Sequence, residues 1–153
     1  MRKHFANILL AFALLWEGAA QSEENANPTV TVYKTPACGC CEKWIDHLRA
    51  AGFTVEAHDH GSLDRVRKQL GVPRKMTGCH SAQVAGYAVE GHVPADQIKR
   101  LLAEKPEVVG ISVPGMPVGS PGMEGEGGQE YRVFAWRKDG GTAVFSVERP
   151  RMR

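Results

Sequence analysis

The sequence predicts one α/β domain with a mixed central sheet, spanning residues 29–150. Segments that alternate apolar and polar residues, as half-buried strands do, are interleaved with segments whose apolar residues recur at helical spacing. The junction between the first strand and the first helix reads "TPACGCCEKW" (residues 35–44), which places Cys38 and Cys41 at the spacing of a dithiol redox pair. The 153 residues suffice for one such domain with its own hydrophobic core.

The first elements follow one another closely. Residues 29–34 are β-branched and aromatic and predict a strand, and residues 41–51 carry apolar side chains at helical spacing. Residues 53–60 alternate as a second strand, and residues 63–70 predict a second, shorter helix. A tight strand pair is predicted over residues 82–91.

The C-terminal third adds a helix, a loop and a hairpin. Pro94 begins the third helix, and residues 112–129 form a long irregular loop with three prolines, six glycines and two methionines. Residues 130–149 predict a β-hairpin with a glycine-containing turn. The order up to the third helix is β-α-β-α-β-β-α. With a CxxC motif at the first strand–helix junction, this order predicts a thioredoxin-like fold.

The first twenty residues have the layout of a secretory signal peptide. "MRKH" is basic, residues 5–16 are an apolar run too short to span a bilayer as a helix, and small residues precede a cleavage site after Ala20. Residues 21–28 are polar and are expected to be a disordered lead-in. Export would take the mature chain to an oxidising compartment, where dithiols tend to become disulfides.

The charge of the chain is nearly balanced, with a net charge of +2 at pH 7. Removal of residues 1–20 takes away Arg2, Lys3 and Glu17, so that 17 basic residues face 16 acidic ones and the net charge becomes +1. The chain lacks the basic patch that a phosphate backbone requires, so nucleic acid is not an expected partner. No later segment resembles a membrane span, and no membrane partner is expected after cleavage.

The cysteines of residues 38–41 allow two chemistries. A thiolate at the start of a helix is stabilised by unpaired backbone N–H groups and by the helix dipole, so it is both a better nucleophile and a better metal ligand. In the first chemistry, Cys38 attacks a disulfide and Cys41 resolves the intermediate, which leaves Cys40 without a role. In the second, the thiolates bind a soft ion such as Cu(I), and three neighbouring sulfurs can bridge several ions.

Cys79 and His80 favour the metal hypothesis. They adjoin in "MTGCHSA", in the loop before the third strand, and in a thioredoxin-like sheet that loop lies against the CxxC turn. Four cysteines and one histidine are then expected to converge. Two plainer alternatives stay open, namely a structural disulfide between Cys79 and one of the other cysteines, and a structural zinc site with three cysteines and one histidine.

Two methionines and three further histidines complete the candidates. Met116 and Met123 lie in "PGMPVGSPGM" of the long loop, and their thioethers are soft ligands for Cu(I). The alternative is that they anchor the loop in an apolar groove. His58 and His60 share one face of the second strand, and His92 precedes the third helix. The sequence leaves open whether any of these three binds metal.

Three segments make the chain resemble one family: "VYKTPACGCCEKW", "GCHSAQVAGYAVEGHVPADQI" and "GISVPGMPVGSPGME". The chain is similar to the CopG-type copper-resistance proteins, small exported thioredoxin-like proteins long catalogued as a domain of unknown function. The resemblance runs from about Thr29 to the final hairpin. Where ordinary thioredoxins have a cis-proline beside the active site, this chain reads "GCHS", which favours metal over protein disulfides as the target.

The resemblance implies a periplasmic protein that binds several Cu(I) ions bridged by thiolates. The ligands that it implies are Cys38, Cys40, Cys41 and Cys79, with His80 adjacent. It also implies redox interconversion of copper and thiols in copper detoxification, with other periplasmic copper-handling proteins as further partners. The runner-up is a general periplasmic thiol–disulfide oxidoreductase that uses Cys38 and Cys41. Passive copper storage or delivery needs the same thiolates, so the sequence does not decide whether the protein is an enzyme.

Overall fold

The computed structural model describes residues 28–150, which form seven strands and three α-helices. The predicted signal peptide of residues 1–20 and residues 21–27 of the predicted lead-in lie outside the described residues. In chain order the elements are β1 (Val30–Lys34), α1 (Gly39–Ala50), β2 (Val55–Asp59), α2 (Asp64–Gln69), a 3₁₀ turn (Arg74–Met76), β3 (Ser81–Val84), β4 (Tyr87–Glu90), α3 (Ala95–Glu104), β5 (Gly110–Ser112), β6 (Tyr131–Trp136) and β7 (Thr142–Glu148).

All seven strands form one mixed sheet in the order β2-β1-β3-β4-β5-β6-β7. β1 pairs with β2 and β4 with β5 in parallel, whereas the other neighbours are antiparallel. The β3–β4 hairpin turns at Ala85 and Gly86, both of which have positive φ as a two-residue hairpin turn requires. The predicted α/β class, the mixed sheet and the C-terminal hairpin are confirmed. The thioredoxin-like classification stays a prediction.

The two faces of the sheet are covered by different segments of the chain. Side chains of α1 and α3 pack with one face into the main core, to which Trp44, Leu48, Ile98 and Leu101 contribute. The residues after α2 cover the other face, where Met76 packs against the sheet in a smaller cluster. Successive side chains of β4 and of β6 belong in turn to the main core and to the smaller cluster, because neighbouring residues of a strand point to opposite faces of the sheet.

The structure differs from the predicted elements at β5. This strand is three residues long and wholly buried between β4 and β6, so it lacks the alternation of apolar and polar residues by which half-buried strands are predicted. The predicted loop of residues 112–129 accordingly begins one residue later, because Ser112 belongs to β5. Within residues 28–150, no helix has the length and apolar character needed to cross a membrane.

Candidate metal centre

The four cysteines of the chain meet at one end of the sheet. Cys79 Sγ lies 3.1 Å from Cys38 Sγ, 3.3 Å from Cys40 Sγ and 3.4 Å from Cys41 Sγ. Cys38 and Cys41 are joined by a disulfide, whereas Cys40 and Cys79 are free thiols. All four sulfurs lie within 4.8 Å of one another. The pairing in the structure is therefore that of the expected redox dithiol, and the alternative disulfide to Cys79 is not formed.

The register of the sheet explains this convergence. Ser81, the first residue of β3, pairs with Tyr33 near the end of β1, so the residues before Ser81 lie beside the turn that follows β1. In that turn the Cys38 backbone N–H donates to the Thr35 carbonyl at 3.2 Å, and α1 begins directly afterwards. The cysteines at the start of α1 consequently face Cys79.

A buried carboxylate fixes the loop that carries Cys79. Glu90 is wholly buried, and its Oε1 accepts hydrogen bonds from Arg67 Nε and from the Gly78 backbone N–H, both at 2.9 Å. Its Oε2 accepts a 2.5 Å hydrogen bond from Ser81 Oγ, and Arg67 Nη2 donates to the Gly78 carbonyl at 2.8 Å. One ion pair therefore holds the chain on both sides of Cys79.

The same surroundings set the protonation of Cys79. Burial, reinforced by the hydrogen bond and charge of Cys40, raises the pKa of the Cys79 thiol to about 12, although the nearby Arg67 guanidinium opposes this shift. At neutral pH Cys79 is therefore a thiol, and a metal ion that binds its sulfur must displace the proton.

His80 and His92 lie side by side next to Cys79, and both are wholly buried. Their ring centroids are 5.1 Å apart, and the Trp44 ring centroid lies 4.2 Å from that of His80. Burial, with the charges of His92 and Arg67, holds the pKa of His80 well below its usual value, and burial also lowers the pKa of His92. Both imidazoles are therefore neutral at pH 7, the form in which a ring nitrogen can bind metal.

The Gly/Pro/Met-rich loop (residues 113–130) crosses the start of α1. The Pro121 carbonyl lies 2.7 Å from His92 Nδ1. At Gly122, where φ is +84°, a Cβ atom would lie 2.7 Å from the Cys40 carbonyl oxygen and 3.0 Å from the Trp44 backbone nitrogen. Glycine is required here both by the positive φ and by the close approach of the loop backbone to the helix.

The same loop carries the two candidate methionines. The Gly115 backbone N–H donates to the Thr77 carbonyl at 3.0 Å, which places Met116 one residue after a contact with the Cys79 loop. The Met116 side chain is 53% exposed and that of Met123 is partly buried. Their roles as thioether ligands stay a prediction.

His58 and His60 flank the Tyr33 ring on the edge of the sheet. Their ring centroids lie 5.8 Å and 5.5 Å from that of Tyr33, so the shared face expected for the pair is observed. Among residues 28–150, the donors that converge within 4.8 Å form two groups, the four cysteines and the set of Cys79, His80 and His92, and neither group includes this pair.

Sequence reasoning missed two residues at this site, Glu90 and Arg67, and it leaves open whether His92 is a ligand. The hairpin register indicates the position of His92: Ser81 pairs with Glu90, so the residues just before β3 lie beside those just after β4. Glu90 and Arg67 gave no signal, because a charged residue in an alternating strand or a short helix is ordinarily exposed.

Comparison with known proteins identifies the family of the chain. A family model described as "Protein of unknown function, DUF411" matches residues 76–123. Two solved structures, forms 1 and 2 of "Copper resistance protein copG", are each 42% identical to this chain, with TM-scores of 0.75 and 0.76. Each comparison covers 80% of this chain and 98% of the other. Among curated proteins there is no match. At this identity and coverage, the chain belongs to the CopG family of copper-resistance proteins.

Proposed function

We propose that this protein is exported to the periplasm, binds several Cu(I) ions in a thiolate-bridged cluster and couples copper redox to thiol redox in copper resistance. The observation that carries the proposal is the convergence of Cys38, Cys40, Cys41 and Cys79, whose sulfurs all lie within 4.8 Å of one another. The names of its relatives, copper resistance proteins, support copper as the substrate.

The donor set favours a soft ion that thiolates can bridge. Four sulfurs without carboxylates suit Cu(I) better than a hard cation. Closed zinc sites usually draw on cysteine pairs with two residues between them, whereas here the adjacent residues Cys40 and Cys41 both belong to the group. With sulfur–sulfur distances of 3.1–3.4 Å from Cys79 to the other three, one thiolate has several neighbours with which to share ions.

The Cys38–Cys41 disulfide supports the redox part of the proposal. Oxidation of these two thiols forms one S–S bond and releases two protons and two electrons. Two Cu(II) ions take up those electrons and become two Cu(I) ions. The reverse reaction consumes two electrons, cleaves the disulfide and restores two ligands, so the ligand number of the site follows its redox state.

The domain limits and the location belong to the same proposal. Cleavage after Ala20 would release a mature chain whose single copper-binding domain spans residues 29–150, and the periplasm would supply both copper and an oxidising environment. Other copper-handling proteins of that compartment are its proposed protein partners. Met116 and Met123 are proposed as accessory ligands of the cluster, with His80 beside Cys79.

Anaerobic titration of the fully reduced protein with Cu(I), against a chromogenic chelator, tests the proposal. More than one Cu(I) per chain is expected, together with a lower number for Cys38→Ser and for Cys79→Ser. Air exposure of the loaded protein should then consume two thiols per chain. Uptake of no Cu(I) beyond one weak site would contradict the proposal.

A general thiol–disulfide oxidoreductase is the second candidate, and the Cys38–Cys41 disulfide is the observation that favours it. This function requires those two cysteines and no metal. It predicts reduction of a protein disulfide by copper-free protein at a rate that Cys40→Ser leaves unchanged.

A further inference from the structure

Positive charge is concentrated in one short segment of the chain, residues 64–75. The whole sequence has 19 lysines and arginines and 17 aspartates and glutamates, and this segment holds five of the former and one of the latter. The segment runs from α2 through the 3₁₀ turn and carries a net charge of +4, whereas the rest of the chain, with 14 basic and 16 acidic residues, carries −2. Such a local excess of positive charge attracts anions.

A cavity of about 650 Å³ lies within this segment and is lined by three of its cations. Its volume suits a small organic ligand. Among residues 28–150, the ion pairs include neither Lys68 nor Arg74, so these two charges have no acidic partner. The lining residues are Asp64, Arg67, Lys68, Val72, Arg74 and Thr77.

The third cation, Arg67, is fixed in place by the fold. Its Nε donates to Glu90 at 2.9 Å and its Nη2 donates to the Gly78 carbonyl at 2.8 Å. Its Nη1 donates no hydrogen bond to any residue of the described range 28–150, so two N–H groups of the guanidinium remain for a ligand. An arginine that is already oriented loses little side-chain entropy when it binds a carboxylate or a phosphate.

The backbone that carries Arg74 is anchored to the sheet on both sides. Trp136 Nε1 donates to the Gly71 carbonyl at 2.9 Å, and Ser112 Oγ donates to the Met76 carbonyl at 2.6 Å. Arg74 lies between these two anchors, so the backbone at the wall of the cavity is fixed although the side chain of Arg74 is exposed.

We propose that this cavity is a binding site for a small anion with two or more negative charges, a tricarboxylate or a phosphate. Arg67, Lys68 and Arg74 supply the attraction, and Asp64 is the one lining residue that opposes it. The site uses no cysteine, so it goes beyond the proposed copper function and does not depend on it.

The distribution of charge favours a small anion over an acidic protein. A protein partner would cover surface outside the cavity, where the chain has a net charge of −2 and repels it. A small anion touches the cavity alone. Thr77 lines the cavity and precedes Cys79 by two residues, so a bound anion lies beside the cysteine group.

Calorimetric titration of the copper-free, disulfide-bonded protein with citrate and with inorganic phosphate tests the site. Low ionic strength is used because salt screens exposed charges. One anion per chain is expected, with shifts of the Lys68 and Arg74 amide resonances, whereas acetate should bind too weakly to detect. Whether citrate or phosphate binds more tightly identifies the class of anion, and either result supports the site.

Three substitutions on this segment separate a site from diffuse attraction. Arg74→Gln should weaken binding by about fivefold or more. Asp64→Asn, whose amide oxygen can still accept the hydrogen bond from Ser62, should tighten it several-fold, because an opposing charge is removed. Arg65→Gln is the matched control, since Arg65 is an exposed residue of α2 that does not line the cavity, and it should change the affinity less than about twofold.

Two results would overturn the proposal. The first is the absence of saturable binding of citrate and phosphate to the wild-type protein, which needs no variant to fold. If hexaglutamate binds in that case, the cavity instead receives an acidic segment of a protein. The second is an equal loss of affinity in Arg65→Gln and Arg74→Gln, which would show attraction by net charge without a defined site.

Discussion

Arg67 Nε donates a 2.9 Å hydrogen bond to Glu90 Oε1, and this ion pair joins α2 to the end of β4. The Glu90 side chain has no exposed surface, and that of Arg67 is 21% exposed. Burial of a carboxylate at such a depth is costly unless a nearby charge and hydrogen bonds replace its lost water, and the two Glu90 oxygens accept three hydrogen bonds here. The pair fixes the loop on which Cys79 lies.

Glu90→Gln is therefore expected to lower both stability and copper affinity. It leaves Arg67 as an uncompensated, largely buried cation, and removal of one partner of a buried pair costs about 3–5 kcal/mol. Urea unfolding of the disulfide form measures this loss, and Cu(I) titration should show weaker binding because Cys79 is less firmly held. Glu104→Gln, which breaks the exposed pair with Arg100, is the control and should cost less than about 1 kcal/mol. Equal losses in the two variants would contradict the role of the pair.

The variant Cys40→Ser distinguishes copper binding by the four-cysteine cluster from simple thiol–disulfide exchange. Cys40 Sγ lies 3.3 Å from Cys79 Sγ, yet it takes no part in the Cys38–Cys41 disulfide. The variant should still form that disulfide, as counted by free thiols after oxidation. It should bind fewer Cu(I) per chain in anaerobic titration than the wild-type protein. An unchanged copper number would remove Cys40 from the ligands and leave the oxidoreductase alternative favoured.

The sequence predicted most of the fold because the pattern of each half-buried element is local. Composition predicts β1, alternation predicts β2 and the C-terminal hairpin, a break at Gly86 predicts the β3–β4 pair, and helical spacing predicts α1 and α3. It did not predict β5, because a strand buried on both faces has neither period. The convergence of the cysteines was predicted from the spacing of Cys38 and Cys41 and from the position of Cys79 in the loop before the third strand, a loop that lies against the CxxC turn in a thioredoxin-like sheet.

The inner parts of the site depend on the tertiary structure instead. Whether His92 is exposed or buried depends on the loop that brings Pro121 over it, and residues 113–130 have no periodicity from which that path follows. Glu90 likewise becomes part of the site only because Arg67, which lies in another element, donates a hydrogen bond to it. Patterns within a segment predict elements, whereas contacts between segments decide which polar residues form a site.

Gly122→Ala tests whether the Gly/Pro/Met-rich loop closes the site. A Cβ at this position would lie 2.7 Å from the Cys40 carbonyl oxygen, so the loop must move away from the start of α1. The expected results are a loss of unfolding free energy and faster transfer of Cu(I) to an external chelator in stopped-flow measurements. Gly127→Ala is the matched control, because it has a similar positive φ of +75° but nothing within 4 Å of its Cβ. It therefore carries only the backbone strain of about 1–2 kcal/mol, and equal transfer rates in both variants would show that the loop does not cover the copper.

The buried imidazoles predict that the protein loses stability as the pH falls below about 6.5. In the unfolded chain His80 and His92 take up protons near that pH, but in the folded protein burial lowers the pKa of both, so they take up protons only at a lower pH. The unfolded state then binds more protons, and each histidine lowers the unfolding free energy by up to about 1.4 kcal/mol per pH unit. Above pH 7 both are neutral in both states and contribute no slope. Urea unfolding of the disulfide form between pH 8 and pH 5 measures the effect, and His92→Gln should remove one histidine's share of the slope. A variant that keeps the full wild-type slope would show that His92 is not held neutral by its burial.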